Sequence, residues 1–248
     1  MSEIESIHDA EEDNYRIALK ILGGTSSLHE ELVELYQVLR GISVKSKIAA
    51  QDEIVTGLHL LVACQYQLTI GCLAALRCHL TDSFRSSRMA IELAAFAARI
   101  KRHPHLALVW LNAGDNDEAY EDYRKKFSGG KLFPDDHELL KQLGDRYAFS
   151  SKLGHPSVYS MASHTKITKT DSGLSIQFDY FQVKKNDPTE PTQTFLWTIQ
   201  THFMILRVFE DVLADALAYD RAVWELRRNQ FEAKFLLHRA KWKKVLGK

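Results

Sequence analysis

The chain has 248 residues, 45 % hydrophobic and 26 % charged, with 32 Lys and Arg against 32 Asp and Glu. That composition excludes a largely disordered chain and allows one sizeable hydrophobic core. The first fourteen residues hold six acids and no Lys or Arg, the reverse of a secretory leader, so no export is expected.

Apolar residues recur at helical spacing over about 5 to 22, 26 to 40, 50 to 80, 82 to 102, 104 to 113, 115 to 127, 135 to 152, 192 to 220 and 221 to 245. Gly23-Gly24 stops the first helix, Ser26 or Ser27 caps the second, and Asp82 or Ser83 is expected to cap a helix beginning at Phe84. In the third helix, Ile54 to Leu76 carries no charged residue, a run long enough to cross a bilayer. Gln65, Tyr66 and Gln67 interrupt it at mid-span, so it is expected to be buried all round inside a bundle, with no membrane involved. Cys64, Cys72 and Cys78 fall in this same predicted helix, spaced too widely along a rod to bridge. They read as buried reduced thiols and point to a cytoplasmic protein.

The next helix contains RMAIELAAFAARI, apolar on nearly every face, with alanines at 90, 94, 95, 97 and 98 that let neighbours approach. Arg88 and Glu92 are its exceptions ahead of Arg99 near the end. Lying four apart, they share a face and must pair with each other, pair with another helix or line a cleft. Further on, Lys152, Gly154 and Pro156 make a helix C-terminus in which the glycine takes the left-handed position. The segment from 164 to 184 departs from the helical pattern. Leu174, Ile176, Phe178 and Tyr180 alternate after Asp171-Ser172-Gly173, which predicts a β-hairpin inserted late in an all-α bundle. No linker divides the chain, so residues 1–248 read as a single domain.

Three short motifs carry a family resemblance: RSSRMAIELAA at 85–95, RYAFSSK at 146–152 and GHPS at 154–157. Over about residues 55 to 165 the chain resembles bacterial helical proteins related to the HEPN superfamily (higher eukaryotes and prokaryotes nucleotide-binding). The resemblance implies a helical bundle, often dimeric, and in many members a metal-independent endoribonuclease of toxin or anti-phage systems. In those enzymes an arginine and a histidine four to six residues apart stabilise phosphate charge and move protons. Here the matching residues are Arg146 and His155, with eight residues between them, outside that spacing. The candidate catalytic set on this reading is Arg88, Glu92, Arg146 and His155.

No phosphate-binding glycine loop or metal-ligand spacing stands out, and no cofactor or metal is expected. Asp115-Asn116-Asp117 reads as a helix cap rather than a calcium loop. Charge distribution says more than net charge, because residues 220 to 248 hold nine Lys or Arg against three acids. Trp224, Phe231, Phe235, His238 and Trp242 recur there as an aromatic stripe, with Arg227, Arg228, Lys241, Lys243 and Lys244 beside it. The stripe is expected to pack within the fold or against a second copy. The cations are candidates for nucleic-acid contact. The reading that follows is a non-enzymatic interaction module, homodimeric, with the HEPN-like endoribonuclease as the alternative.

Overall fold

The computed structural model describes residues 2–48, 50–128, 132–134, 136–154, 165–170, 173–178, 189–217 and 220–245. The chain is all-α, a bundle of α1 (Glu3–Leu22), α2 (Ser27–Val44), α3 (Asp52–Leu76), α4 (Leu80–Arg102), α5 (Leu106–Leu111), α6 (Asp117–Lys126), α7 (Glu138–Gly154), α8 (Thr189–Val212) and α9 (Arg221–Val245). Ser2 starts α1 with a reciprocal capping box: its Oγ accepts from the Glu5 N–H, and its own N–H donates to Glu5 Oε2 at 2.6 Å. Asn116 caps α6 by accepting from the Ala119 N–H at 2.9 Å, the role expected of that acidic stretch. Between α7 and α8, β1 (Thr165–Thr170) and β2 (Gly173–Phe178) are extended and pair antiparallel, with Ile167 opposite Ile176.

Helices α3 and α4 form the antiparallel centre. Ala90, Ala94 and Ala97 of α4 are fully or almost fully buried, and Cys64 Sγ donates to the Ala90 carbonyl at 3.4 Å. Helix α8 lies against both, and a Cβ on Gly71 would come within 3.2 Å of Thr198 Cγ2 and 3.5 Å of Ser86 Cβ. Small residues therefore let three helices converge, and Ser83 bonds Thr198 across the seam at 3.0 Å. Helix α7 packs on α4 and α8, and α2 on α3, α8 and α9.

Several local expectations are corrected. The third helix ends at Leu76, and Cys78, at φ 67°, makes a left-handed turn outside it. Helix α4 then starts at Leu80, so Asp82 lies in its first turn and the cap position belongs to His79. Asp82 instead pairs with Arg85 at 2.8 Å. Gly154 is the last residue of α7, and positive φ occurs at Gly23, Cys78 and Gly173, not there. Space explains that glycine better, since a Cβ would meet Arg85 Cγ at 3.0 Å while Arg85 Nε donates to the Gly154 carbonyl at 2.8 Å.

Helix α3 is also not buried all round. By length and composition it is the one helix among the described residues able to cross a membrane. Its inner side, including Leu60, Leu61, Cys64 and Leu68, is buried. His59, Val62 and Tyr66 face outward, with Val62 and Tyr66 42 % and 62 % exposed.

Candidate functional site

Arg88 and Glu92 project from α4 on one face, where α7 brings Tyr147 across to meet them. Tyr147 Oη donates to Glu92 Oε1 at 2.8 Å and accepts from Arg88 Nη2 at 3.1 Å, while Arg88 and Glu92 lie 3.5 Å apart. The Arg88 guanidinium also sits 5.1 Å from the centre of the Tyr147 ring. The charged pair is thus satisfied by a phenol, an internal use that accounts for both ionic groups in the apolar middle of α4. Tyr147 was legible only as part of the RYAFSSK motif. Its role became visible once helical geometry turned it about 100° from Arg146.

That rotation sends Arg146 elsewhere. Its Nη1 donates to Thr201 Oγ1 at 2.7 Å and to the Trp197 carbonyl at 3.4 Å, and its guanidinium lies 5.2 Å from the Trp197 ring centre. Burial, with Arg239 adding like charge, lowers its pKa to about 10, so it stays protonated at neutral pH. Trp197 in turn packs against Phe84 at 4.9 Å and Phe149 at 6.0 Å. Among the candidate catalytic residues, Arg88 and Glu92 therefore meet, Arg146 serves the α7–α8 contact, and His155 lies outside the described residues.

Helix α9 seats its aromatic stripe on the bundle. Trp224, Phe231, Phe235 and Trp242 are buried; Trp242 Nε1 donates to Thr25 Oγ1 at 2.9 Å, and the same hydroxyl meets His238 Nδ1 at 2.9 Å. Arg228 is held inside by Glu210 at 2.6 Å, and Arg207 lies 3.0 Å from the other carboxylate oxygen. Lys234 is paired with Glu31 of α2. Arg227, Lys241, Lys243 and Lys244 remain exposed, with the Lys241 ammonium 5.9 Å from the Trp242 ring centre. Arg227 lines an open groove of about 580 Å³ between α2 and α9, floored by Leu35, Val38 and Phe231 and walled by Glu34 and Lys234.

His202 of α8 is a fully buried titratable group. Its Nδ1 lies 3.2 Å from Tyr36 Oη, and that hydroxyl donates to the His202 carbonyl at 3.3 Å, so a proton on Nδ1 satisfies both contacts. Nε2 is then an unfilled acceptor in the core. Burial lowers the His202 pKa to about 3, with His29 adding to the effect, and raises the Cys64 and Cys72 thiols well above their usual range. Cys78 is pushed up to about 11. None of these thiols is a ready nucleophile. Among the described residues no group of three or more His, Cys, Asp or Glu side chains converges in a way that could hold a metal ion. Compared with protein-family models, curated proteins and solved structures, the chain matches none.

Proposed function

We propose that this chain is a non-enzymatic helical interaction module that acts as a homodimer, joined through the outer face of α3. The observation that carries this reading is that face: His59, Val62 and Tyr66, spaced three and four apart, open outward on a helix with no charged residue from Ile54 to Leu76. A surface helix ordinarily carries charge outward. One that carries none meets its own copy across a twofold axis without burying any ion, and the hydroxyl, imidazole and amide groups supply directional bonds. The reading is supported further by Arg88, Glu92 and Arg146, whose hydrogen bonds are spent inside the molecule. The insert between α7 and α8 is taken as one β-hairpin over about 164 to 184, and the compartment as cytoplasmic, consistent with three free, buried cysteines.

Light scattering on the purified chain tests it. The expected mass is twice 28.4 kDa, falling to one chain in the Val62→Asp/Tyr66→Asp variant with unchanged far-ultraviolet circular dichroism. A monomeric wild type, a dimer indifferent to both substitutions, or a protein soluble only in detergent would each reject the assignment.

A further inference from the structure

A second surface stands independently of the α3 face. Opposite its buried aromatic stripe, α9 turns Val223, Leu226, Gln230, Ala233, Leu237 and Ala240 outward, in alternating steps of three and four. Val223, Leu226 and Leu237 are 51 %, 59 % and 72 % exposed. We infer that this outward face of α9 is a docking surface for an acidic amphipathic helix of another protein.

The spacing points to a helix as occupant. An average step of 3.5 residues held along most of a 25-residue helix is the seam that a second helix follows, and Ala233 and Ala240 leave room for a close approach. Charge points to acids on that helix. One edge of the seam carries Arg227, Lys234 and Lys241, seven residues apart, and the other carries Asn229, Leu236 and Lys243. From Ala233 to Val245 the helix has no acid at all. Glu31 holds Lys234, and Glu225 pairs with Arg221, while Arg227, Lys243 and Lys244 have no ion pair among the described residues. Glu34 faces Arg227 only across the groove, and Glu232 lies toward the other flank.

The same arrangement disfavours a second copy of α9. Antiparallel self-pairing sets Arg227, Lys234 and Lys241 against their own copies, and parallel self-pairing sets them against Asn229, Leu236 and Lys243, which offer no acid. A nucleic-acid backbone fits less well, because it would lay phosphates along a leucine seam. An acidic helix satisfies both features, its apolar residues on the seam and its carboxylates toward Arg227, Lys241 and Lys243.

Two synthetic peptides of about three heptads provide the test, each with Leu along the seam and either Glu or Lys at the flanking positions. Fluorescence anisotropy with the full-length protein is expected to show the Glu-flanked peptide binding at least about tenfold more tightly than the Lys-flanked one. That binding weakens as salt rises from about 50 to about 500 mM. Leu226→Ser/Leu237→Ser, two exposed positions whose replacement leaves the melting temperature in place, abolishes it. Arg227→Glu/Lys241→Glu reverses the peptide preference. Equal binding of the two peptides, binding that survives the serine pair, or displacement of the peptide by a single-stranded oligonucleotide overturns the inference, the last in favour of nucleic acid. Concentration-dependent self-association abolished by the serine pair would likewise overturn it, in favour of a second copy.

Discussion

Acid should destabilise this fold through His202. In the folded chain its pKa lies at about 3, whereas an unfolded histidine titrates near 6.5. Above pH 6.5 both states are neutral and the group is silent. Below it the unfolded chain takes up a proton that the folded one refuses, so stability falls with decreasing pH until about pH 3, where the folded state protonates too. The slope approaches about 1.4 kcal/mol per pH unit, giving a loss of about 2 kcal/mol by pH 5 and about 3 kcal/mol by pH 4. His29, half-buried beside Thr69 with its pKa also lowered by burial, adds in the same direction. Tyr36 stays protonated throughout, its pKa raised by burial, and does not contribute. Replacing His202 with asparagine keeps a donor near the Nδ1 position but removes the titration. Urea unfolding followed by circular dichroism at each pH gives both stability curves, and their difference cancels the carboxylates common to the two proteins. The variant is less stable at pH 7, because the smaller side chain leaves a void. Its curve is flatter between pH 6 and pH 4 by most of the stated slope. Parallel curves would refute the reasoning, and so would an NMR titration of the wild type placing His202 near its ordinary value.

Glu210→Ala leaves the partly buried Arg228 without its carboxylate, and Arg207, about a third exposed, without its ion pair; it should cost about 1–2 kcal/mol in urea unfolding. Adding Arg228→Met should restore part of that loss. Trp242→Ala removes a buried indole and its bond to Thr25, for about 3 kcal/mol, and should speed tryptic cleavage at the end of α9. Gly71→Val, crowding Thr198 and Ser86, should lower stability by about 2 kcal/mol, whereas Gly41→Ala, in open space within α2, should raise it by about 0.5–1 kcal/mol in the same assay.

How far the sequence could be read differs from element to element. Helix α9 begins and ends where its aromatic and basic periodicity puts it, and the stripe faces inward because burying four large rings outweighs every alternative for that face. The start of α4 was misplaced because Asp82 is as good a cap by type as His79 is poor; the tight turn through Cys78 overrides that preference. The candidate site divides in the same manner. Arg88 and Glu92 were visible as charges on an apolar helix, but their partner Tyr147 sits next to Arg146 in the chain and a third of a turn away in space. The exposed face of α3 was hidden by its own composition, since an uncharged helix reads identically whether it has neighbours on every side or on all but one.

By itself the sequence determined the helices, because side-chain periodicity is local and each amphipathic stripe states which of its faces must leave water. It determined too that Arg88 and Glu92 require company and that the last helix is cationic. Tertiary structure alone decided which groups meet: Tyr147 with the α4 pair, Arg146 with Trp197, Glu210 with Arg228, His202 with Tyr36. It also decided which face of α3 and which face of α9 stay uncovered. Those outcomes depend on how many helices fit around one rod and at what rotation, which follows from side-chain volumes summed over distant segments and from no single stretch of chain.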